Sequence, residues 1–107
     1  SASQSSSFTL VGPDQFNITY VDHSGASGDY FQDYLGVGDI RLSNFEMGLA
    51  RQTTIGTGIM GIGYNNSEAN ANVRNGGNGT IYQNLPFVLV SQGKTKSPAY
   101  SLWLNDL

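Results

Sequence analysis

The sequence predicts an all-β domain, and three observations support that prediction. Gly, Ser and Asn contribute 14, 12 and 10 of the 107 residues, a richness in turn formers that is typical of many short strands. Apolar residues alternate repeatedly with polar ones, as in strands that bury one face. Phe, Leu, Ile and Val together supply 26 residues, which is enough apolar surface for a folded core.

The first predicted hairpin occupies the N-terminal third of the chain. Residues 16–21 alternate with period two and are rich in β-branched and aromatic side chains. Residues 22–28 read DHSGASG, a turn whose glycines accept positive φ, and residues 30–37 resume an extended pattern. Strand, turn and strand therefore form a hairpin.

Residues 1–14 are interpreted as a linker or as the rim of a cleaved surface loop. Serine dominates the first seven positions, and Gly12, Pro13 and Asp14 favour a turn after a short apolar run. Exposed loops of this kind tolerate proteolytic nicking. The folded part is therefore predicted to span residues 15–107.

The rest of the chain continues the β pattern around one helix. Gly38 and Asp39 predict a second turn, after which alternation continues. The run GIMGIG at residues 58–63 is interpreted as a glycine-rich buried strand, followed by a long Asn- and Gly-rich loop. Apolar spacing predicts a helix over residues 85–92, with Pro86 in its first turn and Gly93 as its C-terminal cap.

A final strand is predicted over residues 100–107, where apolar and polar residues alternate again. This strand is still running when the chain stops. Its unpaired backbone groups would be exposed, which a self-contained domain rarely tolerates. We therefore expect the chain to be part of something larger.

Charge and composition exclude several classes of partner and of reactive site. Five basic and eight acidic residues give a net charge of -3 and a pI near 4.7, which argues against nucleic acid and anionic membranes as partners. The absence of cysteine excludes a disulfide framework and a thiolate nucleophile within this chain. Glycosylation sequons at Asn17, Asn65 and Asn78, with the acid pI, favour a secreted or cell-surface protein.

Three motif-like patterns carry little weight. Asp22, His23 and Ser24 have the residue types of a hydrolytic triad, but neighbours on an extended chain point to opposite sides. The run GTGIMG at residues 56–61 matches a dinucleotide pattern, yet no amphipathic helix follows it. One histidine and scattered carboxylates predict no metal site.

Four segments, taken in order, resemble pepsin-like aspartic endopeptidases, most closely the secreted or cell-surface fungal members of the yapsin and barrierpepsin types. The resemblance covers about residues 15–107 and implies the central and C-terminal part of the N-terminal lobe of the pepsin-like fold. The segments are FNITYVDHSGASGDY at 16–30, NFEMGLA at 44–50, GIMGIGY at 58–64, and NLPFVLVSQG leading to AYSLWLNDL within 84–107.

The resemblance implies that the first hairpin is the family's flap, a mobile β-turn that closes over a bound peptide. The substrate-binding residues it implies are Tyr20, Val21, Asp22, Ser24 and Ile59. Tyr20 would border the pocket for the residue before the scissile bond. Asp22 would pair with a basic substrate side chain, and Ser24 would contact the substrate backbone.

Two residues of the GIMGIG run would act beneath the flap. The resemblance implies that Ile59 lines the same pocket as Tyr20 and that Gly61 braces a catalytic loop. Structural alternatives remain open: Tyr20 as a cross-strand aromatic, Asp22 and Ser24 as turn caps, and both residues of the run as core.

The flap departs from the family where glycines usually stand, because this chain has Val21 and His23 there. We expect a stiffer, bulkier tip. We also hypothesise that His23, charged at acid pH, offsets Asp22 and repels basic substrate side chains. Replacing His23 with glycine would then shift cleavage preference at basic sites, and an unchanged preference would refute the idea.

The larger departure concerns catalysis. Family members need two aspartates, each in an Asp-Thr-Gly or Asp-Ser-Gly loop, that share one proton while activating water. Neither loop occurs in this sequence, so no catalytic residue is assigned, and both aspartates are expected from a companion chain of the same peptidase. The expected substrate is a peptide, with no cofactor and no metal.

Two rival readings stay open. A degenerate peptidase on the same scaffold would bind peptides or proteins without cleaving them. An unrelated carbohydrate-binding β-sandwich would need an exposed aromatic platform, for which Tyr30, Tyr34 and Trp103 are the candidates. The sequences of the catalytic loops in the companion chain would separate peptidase from pseudo-peptidase.

Overall fold

A computed structural model describes residues 2–65 and 81–105 of the chain. Its strands form a three-stranded antiparallel sheet in the order β1-β2-β3. The prediction of an all-β fold with one short helix is confirmed. The elements in chain order are a 3-10 helix at Ala2–Gln4, strands β1 (Thr9–Thr19), β2 (Gly25–Val37) and β3 (Ile40–Thr53), and helix α1 (Leu85–Ser91).

Both predicted turns are present, but the first is shorter than predicted, because residues 25–28 already belong to β2. The first joins β1 to β2, and the second joins β2 to β3 through Gly38 and Asp39, with Val37 paired to Ile40. Gly38 has a φ of 58°, a left-handed conformation that glycine adopts at no steric cost. The second hairpin therefore has a two-residue loop, the commonest short connection between antiparallel strands.

The sheet starts earlier than the boundary predicted at residue 15. β1 begins at Thr9, and the expected turn is a bulge within that strand, with Asp14 at a φ of 56°. Pro13 is tolerated because β1 is an edge strand and the bulge needs no amide donor there. Turns and bulges favour the same residue types, so the local sequence does not distinguish one from the other.

The serine-rich N-terminal segment lies against β2. Ser5 donates a hydrogen bond of 2.5 Å to the Asp33 carboxylate, which also accepts from the Ser7 hydroxyl. The ring of Phe8 stacks on Phe31 with centroids 4.8 Å apart. These hydroxyls, Ser5 first, hold the pKa of Asp33 below its ordinary value.

The core lies between β3 and α1. Leu42, Phe45 and Val88 are buried, and the partly buried side chains packed around them are Leu35, Ile40, Met47, Leu85 and Leu89. Pro86 occupies the first turn of α1, as predicted. No described helix has the length and apolar character needed to span a bilayer.

The C-terminus of α1 ends as the sequence predicts, in a Schellman motif. Gly93 has a φ of 73° and donates to the carbonyl of Val90, while Lys94 donates to the carbonyl of Leu89 at 2.8 Å. These bonds satisfy carbonyls that the helix itself leaves without partners. The helix therefore ends at a fixed point above β3.

The side chain of Gln92 joins this helix end to β3. Its Oε1 accepts from the Ser43 amide at 3.1 Å, and its Nε2 donates to the Ser43 carbonyl at 2.7 Å. A side-chain amide thus pairs with the strand as a neighbouring backbone would. This contact supplements the apolar packing between α1 and β3.

Aromatic rings cover a different part of the sheet. Phe16 and Tyr82 each meet the buried Tyr30 edge to face, with centroid distances of 5.4 and 5.5 Å. Phe16 lies so close over Gly48 that a Cβ there would stand 2.7 Å from the ring. Glycine at this position lets the ring approach the β3 backbone.

Two predicted strands are wrong for the described residues. Residues 58–63 have no regular secondary structure, and Ile59 and Met60 are largely exposed. Residues 100–105 are likewise irregular and exposed, while 106 and 107 lie outside the described part. An alternating pattern becomes a strand only where a partner edge supplies backbone hydrogen bonds, and neither segment pairs with one here.

Partial burial raises the pKa of the Glu46 carboxyl on β3 above its ordinary value of 4.5. Folding therefore disfavours the ionised form. This penalty is complete at neutral pH and disappears as pH falls below the unfolded pKa.

Glu46→Gln is accordingly expected to raise the Tm at neutral pH and to leave it unchanged below about pH 4. Thermal melts of parent and variant at both pH values test this. An equal shift at both pH values would contradict the role assigned to ionisation.

Candidate functional site

The tip of the first hairpin is a loop closed by its own backbone. Tyr20 donates to the carbonyl of Ser24 at 2.8 Å, and His23 donates to the carbonyl of Tyr20 at 3.0 Å. Between them Val21 is fully exposed at the point of the loop. The predicted hairpin is confirmed, and it brings four of the five predicted substrate-binding residues into one turn.

His23 stands where such loops normally use glycine. In three-residue hairpin loops the last residue takes the left-handed conformation, and His23 has a φ of 67°. The expected stiffness of the tip stays a prediction. The imidazole is exposed beside Asp22.

Replacing His23 with glycine is expected to stabilise the folded protein by about 0.5–1 kcal/mol, because a Cβ at this φ meets a steric penalty that glycine avoids. His23→Ala is the matched control, since it removes the imidazole and retains the Cβ. Urea denaturation measures both variants. Equal gains in the two would assign the effect to the imidazole and contradict the backbone argument.

Asp22 and Ser24 bond to each other across the tip. The Asp22 carboxylate accepts from the Ser24 hydroxyl at 2.5 Å and from the Ser24 amide at 2.9 Å. These two bonds, the hydroxyl first, hold the pKa of Asp22 below its ordinary value. Asp22 thus caps the turn and remains charged and exposed. The Ser24 hydroxyl donates directly to the Asp22 carboxylate, whereas a catalytic relay would place the histidine between them.

The distal hairpin, defined as residues 16–28, joins the rest of the sheet beside one ion pair. Asp29 on β2 is 2% exposed, and its Oδ2 lies 2.8 Å from the Arg51 guanidinium on β3. The Asp29 Oδ1 accepts from the Asp14 amide at 2.8 Å. The sequence analysis missed both Asp29 and Arg51; a carboxylate within a strand rich in aromatic residues is the signal that points to the first.

Two open grooves flank the distal hairpin. One, of about 360 Å³, is lined by residues that include Asp14, Phe16 and Arg51. The other, of about 420 Å³, is lined by residues that include Ile18, His23 and Thr53. Both are shallow spaces beside strands of the sheet.

Ile59 and Gly61 line neither groove. Ile59 is 61% exposed, and a Cβ at Gly61 would meet no atom within 4 Å. The expected pocket beneath Tyr20 and the support by Gly61 therefore stay predictions. Within the described ranges, no three His, Asp or Glu side chains converge on a metal site.

The three sequons differ in their surroundings. Asn17 is exposed on β1 near the root of the distal hairpin, where it pairs with Ser27. Asn65 is half-buried, and its Oδ1 accepts from the backbone amide of Asn84, the N-cap residue of α1, at 3.1 Å. Asn78 lies outside the described residues.

Two of the three rings expected for the aromatic platform of the carbohydrate-binding alternative are engaged within the fold. Tyr30 is 1% exposed, so its face is closed to a sugar ring. Tyr34 instead stacks beneath Arg41, whose guanidinium lies 4.1 Å from the ring centroid. This alternative is therefore set aside.

Comparison with known proteins agrees with the resemblance. Probable aspartic-type endopeptidase OPSB of Arthroderma benhamiae is 47% identical over 106 residues, covering 99% of this chain and 21% of the relative. The opsB protein of Aspergillus fumigatus is 46% identical over 105 residues, with shares of 98% and 21%. Secreted aspartic protease 4 of Candida albicans is 38% identical over 105 residues, with shares of 98% and 23%.

The chain thus spans about a fifth of the length of these relatives. The family model described as eukaryotic aspartyl protease matches residues 1–106. Together with the antiparallel sheet, the hairpin and the short helix α1 of the described residues, this match assigns the chain to the pepsin-like, eukaryotic aspartyl protease family.

Proposed function

We propose that this chain is the flap-bearing part of the N-terminal lobe of an aspartic endopeptidase, with both catalytic aspartates supplied by other polypeptide. The reaction is hydrolysis of a peptide bond at acid pH by a water molecule that two carboxyl groups activate. It uses no cofactor. The sheet from Thr9 onward and helix α1 then belong to the central and C-terminal part of that lobe.

The observation that carries this proposal is the exposed, self-closed tip of the distal hairpin. Its turn is held by backbone bonds and by Asp22, while Val21 projects fully into solvent. A hairpin of this build closes over an extended peptide without losing its own hydrogen bonds. Closure excludes water and orders the cleft, which is how mobile lids serve hydrolases.

A companion polypeptide is part of the proposal. The sequence contains no Asp-Thr-Gly or Asp-Ser-Gly loop. Apolar side chains stand exposed in two segments, Ile59 with Met60, and residues 100–104 with Trp103 81% exposed. Surfaces of this kind are typical of sites that another chain or segment covers.

Peptide cleavage by the complete protein tests the proposal. We expect acid-dependent hydrolysis, loss of activity when Asn replaces either catalytic aspartate of the companion polypeptide, and no activity from the 107-residue chain alone. Mass spectrometry of the peptide products gives the readout. A companion polypeptide that lacks either aspartate would instead support a peptide-binding pseudo-peptidase.

Tyr20 provides the test of the flap itself. In the complete protein, Tyr20→Ala is expected to lower kcat/KM by about ten-fold or more, because the tip would no longer border the substrate pocket. Tyr64→Ala is the matched control, since Tyr64 is 81% exposed and away from the hairpin grooves. Equal losses in both variants would refute the flap assignment.

We also propose a secreted or cell-surface location and a glycan on Asn17. One relative is named a secreted protease, and Asn17 is an exposed sequon, whereas Asn65 is engaged at α1.

Treatment of the secreted protein with peptide:N-glycosidase in heavy-oxygen water is expected to convert Asn17 to labelled Asp. Thr19→Ala removes the sequon while keeping Asn17, and should abolish the label. An unlabelled position 17 in the parent protein would contradict the assignment.

A further inference from the structure

Two bulges face each other across the central strand at the root of the distal hairpin, and β3 stays paired with β2 beyond them as far as Ala26. On one side, residues 13–15 of β1 oppose Asp29 alone, because Gly12 pairs with Tyr30 and Phe16 pairs with Gly28. On the other side, Arg51 is the extra residue of β3. Bulges bend a strand and redirect the residues beyond the bend.

The Asp29 carboxylate binds both bulges at once. Its Oδ1 accepts from the amide of Asp14, the bulged residue of β1 with a φ of 56°, at 2.8 Å. Its Oδ2 lies 2.8 Å from the guanidinium of Arg51, the bulged residue of β3. Arg51 also reaches within 4.0 Å of the Asp14 carboxylate and so spans the width of the sheet.

Apolar packing differs on the two sides of this junction. The part of the sheet nearer the second turn carries α1 and the core around Leu42. In the distal hairpin only Gly28 is buried. Among the described residues no buried core lies beneath the tip. The direction in which the distal hairpin projects therefore depends on contacts at its root: pairing with β3, the packing of Phe16 on Tyr30, and the polar contacts of Asp29.

Burial of the Asp29 carboxylate makes its contacts with Asp14 and Arg51 sensitive to the position of the hairpin. Asp29 is 2% exposed, whereas the Arg51 side chain is 61% exposed. Such pairs add little net stability but strongly disfavour arrangements that leave the buried charge without its partners. A change of hairpin angle that separates either bulge from β2 would therefore be resisted.

We propose that Asp29 and Arg51 are positioning residues that set the angle of the flap over the substrate cleft. The role of this hairpin as a flap rests on the proposed function. The contacts of Asp29 with Asp14 and Arg51, called the clamp below, concern only the distal hairpin and its two bulges. Asp29 touches no substrate in this account. It acts through the backbone of Asp14 and the side chain of Arg51.

The test uses hydrogen exchange and peptidase kinetics on the complete protein. Asp29→Asn keeps the size of the side chain and loses the ion pair. We expect amide exchange within residues 16–28 to rise by about ten-fold, with exchange in residues 40–49 unchanged. We also expect kcat/KM to fall by about ten-fold as the flap loses its fixed position.

Arg51→Lys is the second variant, in case Asp29→Asn does not fold. It retains the charge and loses the planar fork, so a smaller change in the same amides is expected. Arg41→Ala is the control, because Arg41 lies on β3 beside the second turn and contacts Tyr34. Its exchange and kinetics should match those of the parent.

The outcomes separate the clamp from the proposed function. Faster exchange confined to residues 16–28 supports the clamp whether or not the protein cleaves peptides. Exchange that rises equally in all three strands, or does not rise at all, overturns it. Active enzyme with unchanged exchange in both variants refutes the clamp and leaves the peptidase assignment standing.

Discussion

Gly28→Ala is expected to destabilise the folded protein by about 3 kcal/mol, one of the two largest effects of a single substitution proposed for this chain. A Cβ at this position would stand 2.0 Å from the Leu49 carbonyl oxygen and 2.9 Å from the Arg51 amide nitrogen. Both are backbone atoms of β3, so no side-chain rotation relieves the clash. The strands would have to separate at the bulge that carries Arg51.

The control for this substitution lies on the same strand. A Cβ at Gly36 would meet nothing within 4 Å. Gly36→Ala should leave stability unchanged or raise it by about 0.5 kcal/mol, because alanine reduces the entropy of the unfolded chain. Urea denaturation of both variants gives the comparison, and equal losses would show that the close approach of β3 is not the cause.

Leu42→Ala is expected to cost about 2–5 kcal/mol. Leu42 is completely buried and packs with Phe45 and Val88, so truncation removes contacts on both β3 and α1. Leu10→Ala deletes the same atoms at a site that is 49% exposed and should cost less than half as much. Denaturation midpoints test this, and comparable losses at the two sites would contradict the position of the core.

Local patterns predict much of this fold because the signals for its turns and helix are themselves local. Gly38 with Asp39, and Pro86 with Gly93, act through backbone conformations that depend on a few neighbouring residues. The alternation in β2 and β3 predicts strands correctly because each has an adjacent strand to pair with.

Predictions that depend on residues far apart in the sequence were wrong or were not made. Residues 58–63 are rich in glycine and residues 100–105 alternate, as some strands do. A strand, however, also needs the edge of a neighbouring strand for its hydrogen bonds, and the local pattern does not specify one. Pro13 and Asp14 mark a bulge with the same residues that mark a turn. The meeting of Asp29 with Arg51 depends on the register between β2 and β3, which no short motif encodes.

The pairing of Gln92 with Ser43 has a consequence for the exposed edge of the sheet. A free strand edge is a template for recruiting another chain into ordered aggregates. By occupying an amide and a carbonyl of Ser43 on β3, the helix-borne side chain blocks one rung of that template. A single glutamine at the C-cap of α1 thereby covers part of an edge that another strand could otherwise pair with.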